Sequence, residues 1–349
     1  MDTLLKIMNM IIQSLGVLLF KDYLFWVLVI IVVMLYKKGS SIENTMLGEA
    51  ISIKDKMVGS MLNGLFGGLI ASVIVVALGI TIQVYTGNET WASSGILYIW
   101  IIALLLSMIN PRYLCFSYAG GIVAMVHLLT GFPNINVPGI MALVGLLHLI
   151  ESFLIWLDGY SNAVPVFIRR KDGATVGGFV MNRMWPVPMV ILTAVVQMAV
   201  GDSAINMPDW WPIIKHSTAL INDNNLAYII APIPVILGYG DMSITSTPEA
   251  RCKRTAMRLF IYSIILILIS VLSSRIYVLQ YIAAIFAPVA HEFIILLGKN
   301  EEEKGEAFFK ASEVGLKVLY CLKNTPAYRM KLEPGDTILK INNNKIENE

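Results

Sequence analysis

Apolar runs long enough to cross a bilayer recur through the first 298 residues, each bounded by polar or basic positions. A hydrocarbon core about 30 Å thick offers backbone polar groups no water, so the pattern confines the chain to spanning elements that satisfy their own hydrogen bonds. The runs fall near 23–36, 60–83, 94–109, 114–131, 139–157, 187–201, 225–240, 259–274 and 276–297. Residues 4–20 add either a further span or a helix lying in the interface, because Lys21 and Asp22 break the run before the next begins. The expected fold is an all-α polytopic membrane helix bundle of about eight to ten segments, followed by a small polar tail. Only 14% of the residues are charged, against about a quarter in soluble globular chains.

A net charge of +2 gives no electrostatic case for nucleic acid. Cys115, Cys252 and Cys321 stand far apart with no CxxC pair, and read as reduced thiols outside any disulfide framework. The N-terminal run carries Lys6 but no small-residue cleavage site, and reads as a retained anchor. Lys and Arg gather in alternate loops, at 37–59, 110–113, 158–186 and 241–258, which the positive-inside rule assigns to the cytoplasm. The opposite loops, at 84–93, 132–138, 202–224 and 275, hold only Lys215 and Arg275 beside the interfacial Trp91, Trp210 and Trp211. Followed onward, the alternation puts the exit of the last span, and hence the tail, in the cytoplasm. Within 158–186, two β-branched arms flank Asp172-Gly173, which predicts a short basic hairpin near 164–182. The alternative is a solvated loop whose arginines only fix topology.

Ionisable groups inside spans are costly and raise a functional question by default. Four stand out: His148 and Glu151, three apart on one helical face, and the adjacent His291-Glu292 in the last span. One reading is a degenerate intramembrane metalloprotease of the site-2 type. Against it, HEFII has Ile295 where a second zinc-binding histidine belongs, and Leu157-Asp158-Gly159 precedes the His-Glu pair instead of following it. The competing reading is hydrogen bonding between helices, with no metal held. His127 and His216 read the same way, as a buried hydrogen-bonding group and a loop residue. Gly64, Gly68, Gly120 and Gly121 permit close helix approach, and the 18 scattered methionines read as packing residues. Proline-broken segments at Pro111, Pro232, Pro234 and Pro288 would suit a transporter, but no pair of corresponding halves repeats them. There is no Walker motif, dinucleotide fingerprint or nucleophile–base pair, so neither a catalytic residue nor a cofactor is expected.

Beyond the acidic stretch Glu301 to Ala311 the chain reads GLKVLYCL, KNTPAYRMKLEPGD and TILKINNNKI. Turn residues and period-two alternation predict strand, short helix, turn and strand, with Pro334-Gly335 leading into Thr337–Ile341. The order Thr325-Pro326-Ala327, short helix, Gly335-Asp336, strand and asparagine turn resembles the bacterial PDZ pattern. It departs at Lys331 and Asn343, where related domains usually have glycine; asparagine tolerates positive φ. The resemblance implies a peptide-binding module that works by strand addition at a sheet edge. It covers only the first part of such a domain, so most of the groove, and with it the peptide-binding residues, would lie outside this chain. The expected organisation is a membrane domain at 1–298, an acidic linker at 299–311 and the N-terminal part of a truncated PDZ domain at 312–349.

Together with PRYLCFSYAGG, HLIES, VFIRRKDGATVGGFVMNRMWPVP and APVAHEFIILLG running into that tail, the layout resembles the MinJ-type topological factors of Gram-positive bacteria. The resemblance implies a non-enzymatic adaptor in the plasma membrane that bridges DivIVA-like and MinD-like division proteins and so helps to place the septum. Its partners would be cytoplasmic or membrane-associated division proteins and the lipid bilayer itself, with homo-oligomerisation left open.

Overall fold

The computed structural model describes residues 2–48, 51–85, 95–170, 173–196, 207–208, 210–214, 226–310, 314–322 and 325–346. The chain opens with α1 (Asp2–Phe20), α2 (Tyr23–Leu47) and α3 (Ile53–Leu78). Asp22 separates the first two by accepting the Leu24 N–H at 2.8 Å, so the break after residues 4–20 is an N-cap. A short strand, β1 (Thr81–Tyr85), precedes α4 (Gly95–Ile109), α5 (Phe116–Thr130) and α6 (Val137–Asp158). Then come β2 (Val164–Arg169), β3 (Thr175–Val196) and β4 (Leu226–Ser243), followed by α7 (Pro248–Ser273) and α8 (Val278–Lys304).

Among the described residues, α2, α3, α6, α7 and α8 are long and apolar enough to cross a membrane; Leu4–Phe20, α4 and α5 are shorter apolar helices. Helix α6 is buried over 72% of its apolar window, against 22% for α2 and α8, so it is the axis of the bundle. Large apolar side chains left exposed, such as Leu104 and Leu105 on α4 and Val289 and Phe293 on α8, form the outward faces that lipid would cover.

The expectation of an all-α membrane domain is corrected at three places, the first being the end of segment 60–83, where α3 stops at Leu78 and β1 begins at Thr81. Segments 187–201 and 225–240, read as spanning helices, are strand over most of their described length, and β3 pairs antiparallel with β4 from Phe179↔Ser243 to Val196↔Leu226. The prolines explain why. Pro186 and Pro188, and Pro232 and Pro234, are each spaced by two, which would break a helix interior but places both residues that lack an N–H on one edge of a strand. From Arg183 to Val196, at about 3.4 Å per residue, β3 is long enough to cross a core of about 30 Å.

A sheet at that depth must have no unsatisfied edge. Strand β3 is central: β4 lies on one side, while β2 and β1 share the other at opposite ends. Between β2 and β1, helices α2 and α3 cover the gap. The Tyr36 hydroxyl accepts the Met184 N–H at 2.9 Å and donates to the Met184 carbonyl at 3.1 Å. Pro186 and Pro188 have no N–H to satisfy, and the Val190 N–H donates to Ser72 Oγ at 3.0 Å. Gly64 and Gly68 allow this approach: a Cβ there would lie 2.2 Å from the Pro186 carbonyl oxygen and 1.9 Å from that of Pro188. The spacing expected to bring two helices together instead brings a helix against a strand.

Helix α8 runs on through the acidic residues to Lys304, so the first part of the stretch at 299–311 is helical. The following residues are strapped onto the base of the sheet, with Phe308 N–H donating to the Ile244 carbonyl and Gly177 N–H to that of Phe309. Ala307, Val176 and Ile244 form a small apolar cluster beneath the strap. Beyond it lie β5 (Leu316–Lys317), α9 (Pro326–Arg329), β6 (Thr337–Ile338), β7 (Lys340–Ile341) and β8 (Asn344–Lys345).

Candidate functional site

The polar residues singled out inside the spans do not form one group. His148, midway along α6, donates Nδ1–H to the Val144 carbonyl one turn back, at 2.7 Å, which leaves its Nε2 lone pair pointing away from the helix. That nitrogen lies 3.2 Å from Sγ of Cys115, the residue that caps α5. His291 reaches the same sulfur from α8, its Nε2 at 3.8 Å. One donor atom from each of the three lies within 4.8 Å of the others. The two imidazole rings meet edge to face at 4.9 Å, and the Tyr262 ring of α7 packs against both. Tyr262 is held by Ser117 and by the Ala287 carbonyl, which also accepts from Ser117.

Glu151 lies one turn beyond His148, with a carboxylate oxygen 4.0 Å from its Nε2. Glu292 faces away from its neighbour His291: it pairs with Arg112 and accepts the Tyr118 hydroxyl at 2.6 Å. Asp158 accepts Arg183 Nε and Trp185 Nε1, each at 2.9 Å. The metalloprotease reading needs imidazoles and carboxylates converging on one metal; here the imidazoles converge, while Glu292 and Asp158 are engaged elsewhere. His127 donates its Nδ1–H to the Pro133 carbonyl, 2.7 Å away, and His216 lies outside the described residues. Sequence reading missed Cys115, because no linear spacing joins 115, 148 and 291. The one available hint was a cysteine at the start of a span beside the quoted PRYLCFSY aromatics.

A second constellation gathers at the end of the bundle where β2 and β3 begin. Glu302, near the end of α8, accepts the Ile244 and Thr245 N–H groups at 2.7 and 2.8 Å and the Thr245 hydroxyl at 3.0 Å. Glu301 takes both guanidinium nitrogens of Arg258, at 2.8 and 2.6 Å, a bidentate pair between α7 and α8. Arg251 bonds Asp241 at 2.8 Å and lies 3.4 Å from Glu302. Arg170, from the expected basic hairpin, donates to the carbonyls of Glu303 and Gly305 at 2.7 and 2.6 Å. Strands β2 and β3 pair from Val164↔Val180 to Arg169↔Thr175, so that hairpin is formed; Lys171 and Asp172 at its turn lie outside the described residues, and Gly173 beside them has φ +87°. Just past the helix, the exposed Glu306 is held below the usual carboxylate range by its hydrogen bond to Lys310.

In the tail, Thr325 caps α9 by accepting the Tyr328 N–H, with Pro326 and Ala327 as its first two residues. Gly335 has φ +102°, its N–H donates to Val318, and Val318 donates back to the Asp336 carbonyl. The Asp336 carboxylate accepts the Glu333 N–H at 2.8 Å, which closes the turn. Strand β5 pairs with β6, and β7 with β8. Lys331 and Asn343, the two positions where the PDZ pattern has glycine, adopt φ +60° and +66°.

No protein-family profile matches the chain, and no solved structure matches it. Among curated proteins, the chain is similar to the cell division topological determinant MinJ of Bacillus subtilis (strain 168), with 23% identity over an alignment of 349 positions that covers 95% of this chain and 82% of that protein.

Proposed function

We propose that the chain is a non-enzymatic membrane adaptor acting in division-site selection, with its helix bundle in the plasma membrane and its tail in the cytoplasm. The observation that carries this reading is the similarity to a division topological determinant along nearly the whole chain, spans and tail alike. The site geometry fits the role. The acidic end of α8 is pinned by Arg251, Arg258 and Arg170, so the tail leaves the membrane domain from a fixed point. A module held at the membrane surface meets membrane-associated partners at raised effective concentration, and two weak contacts then suffice to bridge them. The partners of this reading are a DivIVA-like and a MinD-like protein, met through the basic hairpin and a PDZ-type tail.

The test is a membrane pull-down from the native host, comparing the full-length protein with a version ending before residue 312, with captured proteins identified by mass spectrometry. Division-site proteins should be enriched with the full-length protein and depleted when the tail is removed. Capture of none of them, together with unaltered septum position in a deletion strain, would overturn the reading.

A further inference from the structure

We infer that Cys115, His148 and His291 form a transition-metal site inside the membrane domain, suited to Zn²⁺ and tying together α5, α6 and α8.

The argument starts from hydrogen-bond supply. His148 Nδ1–H is committed to Val144, so its Nε2 carries only a lone pair. The Cys115 thiol has one proton, and sulfur faces two imidazoles. If that proton goes to His148, the sulfur can offer His291 only a lone pair for a long N–H···S contact at 3.8 Å, and the buried His291 Nδ1 has no partner among the described residues. A half-buried histidine with one nitrogen in a long sulfur contact and the other buried without a partner is poorly satisfied, and a cation between the three donor atoms would bind it better.

Geometry fits a cation. Tetrahedral Zn²⁺, at about 2.3 Å from sulfur and about 2.0–2.1 Å from nitrogen, sets sulfur and nitrogen about 3.6 Å apart. The observed separations, 3.2 and 3.8 Å, lie on either side of that value. The His148 bond to a backbone carbonyl is the outer contact that fixes the tautomer of a metal-ligating imidazole. Charge fits too. Zn²⁺ with one thiolate carries a net single positive charge, and the Glu151 carboxylate, 4.0 Å from His148 Nε2, is the nearby negative charge that offsets it. On binding, the thiol releases its proton to solvent and both histidines coordinate in the neutral form, so no other reactant is needed. Glu292, the base that a hydrolytic site would need, is turned toward Arg112 and Tyr118, so the site is a clamp between helices.

The test uses the chain of residues 1–349 in detergent carrying Cys252→Ser and Cys321→Ser, which leaves Cys115 as the only thiol of these residues. Metal content by mass spectrometry should show zinc close to stoichiometric with the chain, falling about tenfold or more on Cys115→Ser or His291→Gln. Replacement of zinc by Co²⁺ should give a thiolate-to-cobalt charge-transfer band, which in this background only Cys115 can supply. If either variant fails to yield monodisperse protein, the cobalt spectrum of the parent decides alone. Absence of the band, or zinc that survives Cys115→Ser, would overturn the site. The outcome is independent of the adaptor role, because a scaffold with an empty site would still recruit its partners.

Discussion

At the scale of single residues, the membrane domain depends on a few polar groups that meet the demands of strand edges. Ser72 shows the logic: its hydroxyl accepts the Val190 N–H and donates to the Gly68 carbonyl, so one side chain serves both helix and strand. Ser72→Ala leaves a buried N–H without a partner and should cost about 1–3 kcal/mol, read as a lower unfolding temperature in detergent. Ser107→Ala on α4, whose hydroxyl is exposed and bonds only within its own helix, should leave that temperature nearly unchanged. Such roles are not legible in sequence, because an intramembrane serine looks the same whether it bonds its own helix or a strand far along the chain. His148 and His291 were legible as costly intramembrane groups; their meeting at Cys115 was not, because it follows from the packing of α5, α6 and α8 and not from spacing.

At the scale of elements, the β3–β4 hairpin decides the architecture. Its sequence reads as two apolar spans because both faces of a strand buried among helices are apolar, so the period-two signal is lost and only the alternate prolines remain as a clue. The five long helices lacked that ambiguity and lie where their apolar runs predict. The sheet is joined to them by backbone contact, which makes the glycines of α3 the sensitive positions. Gly68→Ala puts a methyl group within 1.9 Å of the Pro188 oxygen, so helix and strand must separate. The expected cost is about 1–3 kcal/mol, with loss of the Ser72–Val190 bond as a consequence, whereas Gly16→Ala on α1, where a Cβ meets nothing within 4 Å, should be nearly neutral. Thermal unfolding of the two variants side by side separates packing at this seam from a general intolerance of alanine. The strap after α8 is a second such joint. Glu302→Ala removes the acceptor for Ile244, Thr245 and their neighbouring arginines, and should make residues 305–310 markedly more sensitive to limited proteolysis without unfolding the bundle.

At the scale of the whole molecule, the question is which end faces the cytoplasm. The hairpin β2–β3, the ion pairs of Arg251 and Arg258 and the exit of α8 share one end, joined directly through Arg170 and Glu302. The opposite end gathers β1, the start of α6 and the far end of β3, joined through the Asn136 side-chain bond to the Thr81 carbonyl and the pairing of Thr81 with Leu192. Because the elements alternate in direction between these two ends, fixing the side of one loop fixes the rest, and the proposal that follows from the positive-inside rule is that the arginine-rich end faces the cytoplasm. Single cysteines in a cysteine-free background make this measurable. Ala174→Cys, in the β2–β3 turn, and the native Cys321 in the tail should resist an impermeant maleimide in intact cells and react in inverted membranes; Asn134→Cys, between α5 and α6, should do the reverse. Labelling of Ala174→Cys from outside would turn the whole domain over, carry the tail with it, and remove the cytoplasmic partners on which the adaptor role depends. Labelling of the two ends from the same side would be incompatible with a bundle that crosses the bilayer along α6, and would instead place that helix in the plane of the membrane.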